Sequence, residues 1–182
     1  GRGTQGRSPM SAALNIKGWC PGALRPMESG DGLIARVRPH LARLTAEQLV
    51  AIADAAEAFG NGSVDLTRRA NLQIRGATRE GLPALQAHLD QAGLLDDTEG
   101  AEARRNILVS PLLGIDVTCG DLLDAARSIE ETLANNEAFR ALPTKFGFAL
   151  DAGGILTLGE DRSDVRLVAD GPSVALYAAS HY

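Results

Sequence analysis

Lysine is almost missing from this chain: only Lys17 and Lys145 stand among its 18 basic residues, so nearly all the positive charge is arginine. Against 23 acidic residues these leave a net charge of -5, which excludes the basic stripe that marks a nucleic-acid surface. Cysteine is equally scarce. Cys20 and Cys119 lie far apart and cannot make a multi-cysteine cluster or a zinc site between them, so no metal ligand is assigned. No apolar run approaches the roughly 20 residues needed to span a bilayer. The segment from Gly1 to Pro9 has no apolar stretch of a secretory kind. The three histidines, His40, His88 and His181, fall on a loop, a helix and the extreme C-terminus, which leaves no Ser-His-Asp or Cys-His constellation. There are no internal repeats or heptads, and no low-complexity tract follows Pro9. The expectation is a cytoplasmic globular protein with a small-molecule partner, without membrane or nucleic acid.

What is present is enough apolar residue, 45% of 182, to bury one large core or two small ones. The Gly- and Arg-rich start ahead of Met10 reads as a leader or tag, and residues 1–17 are set aside as disordered. Residues 32–38 read as a strand ended by Pro39. Thr45 with Gln48 three residues later reads as a capping box, opening a helix in which Leu49, Ile52, Ala53, Ala56 and Phe59 recur until Gly60. Two short strands follow around Ser63–Gly76. Alternation puts Val64, Leu66, Leu72 and Ile74 on a core face and Asp65, Thr67, Gln73 and Arg75 on the other, with Arg68 and Arg69 at the turn. A second helix covers about residues 79–91, with Leu82, Leu85 and Leu89 on one face and Pro83 tolerated in its first turn.

Strand, helix, strand, strand, helix is most of a ferredoxin-like split unit, in which two helices cover one face of a small antiparallel sheet. Residues 18–95 are assigned to it. A polar stretch at 96–103 reads as a linker. The second region, 104–182, is expected to hold a helix at about 121–134, a strand at 145–150 and strands near 155–158, 165–168 and 174–177. The fold class is α+β.

On the free face, Arg36 and Arg38 share a side of one strand with Ile34, while Leu33, Ala35 and Val37 face oppositely. With Arg69, Arg75 and Arg105 they could assemble a cluster for a polycarboxylate, at about 1.5–3 kcal/mol per charged hydrogen bond. They are equally accounted for as solvated arginines or as partners of the acidic residues. Cys119 stands just ahead of a helix start, whose terminus would favour a thiolate, but a lone cysteine reads first as structural or incidental. Cys20 is a loop candidate of unassigned role.

Cys20-Pro21, Ser29-Gly30-Asp31-Gly32-Leu33, the strand bearing Arg36 and Arg38, and the run from Leu66 to Gly76 together resemble the sulfite and nitrite reductase superfamily. Arg105-Asn106-Ile107-Leu108, Ser110-Pro111-Leu112-Leu113-Gly114 and Leu142 to Phe148 continue the match. Within the superfamily the chain is similar to the precorrin-3B synthase branch. The resemblance implies a ferredoxin-like half-domain followed by a sulfite/nitrite-reductase-type α+β domain, as the first half of a duplicated enzyme. It implies that Arg36, Arg69 and Arg105 meet tetrapyrrole carboxylates or an anion, with Arg38, Gln73 and Arg75 beside them. Lys145 is placed by it at the reacting edge as the catalytic residue. The reductases' second lysine is replaced by Gly147, which argues against sulfite or nitrite.

The implied reaction is oxygen-dependent conversion of precorrin-3A to precorrin-3B in aerobic cobalamin synthesis. The implied 4Fe-4S cluster, and possibly a mononuclear iron, belong to the rest of the enzyme. The chain is expected to be a piece of a longer protein, inactive alone, whose partner is that second half or a second copy in a homodimer. A noncatalytic tetrapyrrole-binding or assembly domain, and a reductase fragment, stand as alternatives.

Overall fold

The computed structural model describes residues 21–159 and 163–178. The expected leader, Cys20 and His181 lie outside the described residues. The elements are β1 (Met27–Ser29), β2 (Gly32–Val37), α1 (Ala46–Phe59), β3 (Val64–Leu66), β4 (Leu72–Ala77), α2 (Leu82–Gln91), α3 (Glu99–Arg104), β5 (Ile107–Val109), α4 (Leu123–Asn135), β6 (Phe148–Asp151), β7 (Val165–Asp170) and β8 (Ser173–Ala178). Short 3-10 turns lie at His40–Ala42 and Glu137–Ala141.

The first sheet is antiparallel in the order β1-β2-β4-β3. Its covered face presents Leu33, Ala35, Val37, Ile74 and Ala77 to Ile52, Ala55 and Ala56 of α1 and to Leu85 and Leu89 of α2. α1 begins where the capping box predicts: Thr45 Oγ1 accepts from Gln48 N at 3.2 Å and Gln48 Oε1 from Thr45 N at 3.1 Å. A cap of this kind contributes on the order of 1 kcal/mol. Between Leu33 and Ala35 the register slips by one, with the extra residue on β4 beside Gly76 at φ 71°. This bulge lets Ile74 and Ala77, three apart, both enter the core.

Several expectations change. Val64 and Leu66 pair with Ile74 and Leu72, yet both are exposed, because β3 is the sheet edge and lies beyond the helices. On α1 it is Ala55 that packs inward, while Leu49 and Ala53 face out. The linker at 96–103 is largely the helix α3, capped by Thr98, and its Glu102 is buried.

The second sheet runs β5-β6-β7-β8, with β5, β6 and β7 parallel and β8 antiparallel to β7. α4 is the crossover from β5 to β6. Ile107, Val109, Leu122, Ala126, Leu133 and Leu150 make its core, and Leu41 from the first region inserts into it. Residues 155–158 form no strand; Ile155 and Leu156 lie exposed in a bend. No helix among the described residues is long and apolar enough to cross a membrane.

Candidate functional site

The β3–β4 turn carries Arg69 toward the second sheet. Thr67 pins it from both sides: its N donates to Asn71 O at 2.8 Å and its Oγ1 accepts from Asn71 N at 3.1 Å, while Ala70 takes a left-handed φ of 53°. Arg69, Asn71, Arg105, Asn106, Gly147 and Phe148 line one cleft at the junction of the two regions. The arginines at 69 and 105, 36 residues apart in sequence, thus come to one place. Arg69 is exposed and makes no hydrogen bond or ion pair among the described residues.

Arg105 is different. It is buried, and its Nε and Nη2 clamp Asp96 at 2.9 and 2.8 Å. Its Nη1 lies 3.6 Å from Glu130 Oε1 and has no hydrogen bond. Two carboxylates therefore surround one guanidinium, so Arg105 shapes the cleft while adding little net positive potential.

Glu130 also accepts from Leu41 N at 2.8 Å and faces His40 Nδ1 at 3.2 Å. Burial pushes this carboxyl up, but the His40 and Leu41 hydrogen bonds and the Arg105 charge outweigh it and hold it below the ordinary glutamate value. What it secures is strained. Leu41 and Ala42 sit consecutively at φ 51° and 54°, which costs roughly 1–2 kcal/mol for each non-glycine residue. This turn forms the cleft wall at Pro39 and Ala42.

Arg38, expected on the free face, is instead 2% exposed. Beyond Val37 the chain leaves the sheet, and the guanidinium turns inward to donate to Asn106 Oδ1 at 2.5 Å and Pro21 O at 3.3 Å. Nearby, Glu102 accepts from Ala23 N at 2.6 Å and Leu24 N at 3.2 Å. Burial raises its carboxyl above the ordinary value despite those bonds and the Arg38 charge. Lys145 is exposed, in the loop before β6, and its side chain makes no hydrogen bond or ion pair among the described residues.

On the open face, Arg36 and Gln73 are register partners, and with its amide oxygen toward the guanidinium Gln73 accepts from Nη2 at 2.6 Å and Nε at 3.1 Å. Arg75 is committed to acids: it grips Asp31 through Nε and Nη2 at 3.1 and 3.0 Å, and reaches Asp65 at 3.2 Å. Of the six arginines and amides expected at the site, Arg36 with Gln73 holds the open face. Arg69 with Arg105 holds the cleft, and Arg38 and Arg75 are taken by protein partners. Sequence reasoning missed Asn106 and Glu130. Asn106 stood inside the Arg105–Leu108 motif, whereas no local signal marked Glu130.

No helix terminus acts on Cys119. The helix begins at Leu123, four residues on, and burial with the Asp116 and Asp151 charges pushes the thiol up. A 4Fe-4S cluster needs four thiolates. The described residues offer one cysteine, and they contain no group of three or more His, Cys, Asp or Glu placed to hold a metal ion. They do not fit an iron-sulfur cluster or an iron site.

Residues 25–92 match the model of the nitrite/sulfite reductase ferredoxin-like half domain. The chain is 39% identical over 155 residues to a precorrin-3B synthase of Sinorhizobium sp, covering 84% of this chain and 32% of that protein. It is 34% identical over 140 residues to a ferredoxin–nitrite reductase of Leptolyngbya laminosa, covering 72% and 27%. Its fold resembles the solved Mycobacterium tuberculosis NirA protein, with a TM-score of 0.64 at 24% identity, covering 79% of this chain and 27% of that one. The chain spans about a third or less of the length of these relatives.

Proposed function

Since this chain belongs to the nitrite/sulfite reductase superfamily through its ferredoxin-like half-domain at 25–92, we propose that it is the tetrapyrrole-binding N-terminal part of a precorrin-3B synthase. The whole enzyme is an oxidoreductase of the monooxygenase kind, turning precorrin-3A into precorrin-3B in cobalamin synthesis. The observation that carries the reading is the meeting of Arg69 and Arg105 at one cleft beside Gly147. Arg69 is the arginine there with no hydrogen bond or ion pair among the described residues, and its planar fork suits a bidentate carboxylate. Arg36, held by Gln73, offers a second guanidinium on the open face.

Arg105, already neutralised by Asp96 and Glu130, keeps the cleft wall in place and presents at most a polar edge. Lys145, exposed and unpaired among the described residues, supplies a mobile cation for an anionic or oxygen-derived group at the reacting edge. The iron-sulfur chemistry belongs to residues outside this chain. Gly147 brings no cation to the cleft, which weighs against a sulfite or nitrite site.

Uroporphyrin III, an octacarboxylate, is the probe. Arg69→Ala should weaken its binding about tenfold, with salt sensitivity reduced, since one charged hydrogen bond contributes about 1.5–3 kcal/mol and screening acts on exposed charges. Equal affinities for wild type and variant would sink the assignment.

A second reading, an assembly domain, is favoured by Ile115, Val117, Ile155 and Leu176, each more than two-thirds exposed. Sedimentation at rising concentration tests it: self-association supports pairing with a second copy or with the rest of the enzyme.

A further inference from the structure

We infer that Asn106 is the positioning residue for Lys145, a clamp that ties the lysine's loop to the buried end of β2. The inference rests on the role given to Lys145 above. Lys145 has four rotatable side-chain bonds and no partner among the described residues, so its reach is set by where its backbone is held.

Asn106 holds that backbone on both sides. Its Nδ2 donates to Thr144 O at 2.9 Å and Phe146 O at 3.2 Å, the carbonyls immediately before and after the lysine, and to Ala103 O at 3.2 Å. Its own main-chain oxygen accepts from Phe148 N at 2.8 Å, where β6 begins. The amide cannot turn over. Oδ1 faces the Arg38 guanidinium at 2.5 Å, and a flip would set donor against donor there while leaving carbonyl against carbonyl at the loop. One side chain thus reads Arg38 on one side and places Lys145 on the other. Aspartate would keep the first contact and lose the second.

A purely structural asparagine would weaken ligand binding whether or not Lys145 is present. Positioning would not, so a double-mutant cycle separates the two. With uroporphyrin III and the whole chain, Lys145→Ala should bind about tenfold more weakly, one charge-assisted contact being worth ~1.5–3 kcal/mol. Asn106→Ala should lose about threefold, consistent with a misplaced but surviving cation. The double variant should bind no more weakly than Lys145→Ala alone. Asn106→Asp, which retains the acceptor for Arg38 but sets an oxygen against the loop carbonyls, should melt lower than wild type and lose more affinity when Lys145 is present than in the Lys145→Ala background.

The inference is overturned if Asn106→Ala costs the same factor with and without Lys145, or if Asn106→Asp binds like wild type. It is overturned alone, with the tetrapyrrole reading intact, if Arg69→Ala weakens binding while Lys145→Ala does not. Failure of wild type to bind uroporphyrin at all would overturn both.

Discussion

Arg38 and Asn106 meet at 2.5 Å across the junction of the two regions, joining the residue just past β2 to the entry of β5. The guanidinium is buried, and Asn106 and the Pro21 carbonyl, which accept from it, help offset its desolvation. The pair therefore couples the stability of the fold to the geometry of the Lys145 loop.

Arg38→Met removes the donor and leaves two buried acceptors unmatched. Losing a charged hydrogen bond of this kind costs about 2–3 kcal/mol, or roughly 4–12 °C in melting temperature for a chain of this size. Calorimetry reads it directly; an unchanged melting temperature would show that the pair contributes nothing.

Glu130 predicts acid sensitivity. Its folded pKa lies below the ordinary glutamate value, so its contribution is complete above that value, about 4.3, and is lost as pH falls through the lower folded one. Denaturant titrations from pH 6 to pH 3 should show the wild type losing more stability than Glu130→Gln over that window. Parallel losses would remove Glu130 from the account. Glu102, with its value raised, contributes the opposite slope, its stabilisation present at low pH and fading as pH rises through the folded value.

Gly22→Ala should be among the harsher single-methyl changes in the chain. A Cβ there would stand 2.1 Å from Glu102 Oε2, so the carboxylate holding Ala23 and Leu24 must move. Overpacking of this order costs ~1–3 kcal/mol. Urea unfolding of Gly22→Ala beside Gly22→Ala/Glu102→Ala checks the cause: the methyl should cost less once the carboxylate is gone.

Gly147→Ala should do the reverse. Glycine is not required there, since a Cβ would meet nothing closer than Asn106 O at 3.7 Å and φ is outside the left-handed region. The fold should tolerate the methyl within about 0.5 kcal/mol, as surface changes usually do, while the cleft beside Arg69 narrows. Uroporphyrin binding and melting temperature measured together test it: a large fall in stability would show that the glycine serves the backbone.

Arg75→Ala and Arg69→Ala should part company. Arg75 holds Asp31 and Asp65, so its loss should lower the melting temperature and leave two acids facing each other across the sheet. Arg69 has no such bonds among the described residues, so its loss should spare stability and weaken tetrapyrrole binding. Identical melting shifts in the two variants would contradict this division.

Much of the first region was legible because its signals are local. The Thr45–Gln48 box, the Leu82–Leu85–Leu89 spacing and the alternation of β2 each depend on neighbours within a turn or a strand. The site was legible only as a set of residue types. Arg38 and Arg105 carry the same chemistry as Arg69 in the sequence, and what separates them is burial against Asn106 and Asp96. The surroundings of Cys119 were not legible, because the charges that act on its thiol come from Asp116 and Asp151 and not from the helix that follows it.

By itself the sequence determined the strand-helix-strand-strand-helix order of the first region, the alternation of β2 and a resemblance to a superfamily. Periodicity, caps and motif spacing are properties of a chain before it folds. Which arginine stays available for an anion, which carboxylates claim the others, and how Asn106 comes to grip the loop of Lys145 were decided only by tertiary structure. Charge and hydrogen bonding act through distance in space, and the partners that settle them lie 9 to 68 residues away along the chain.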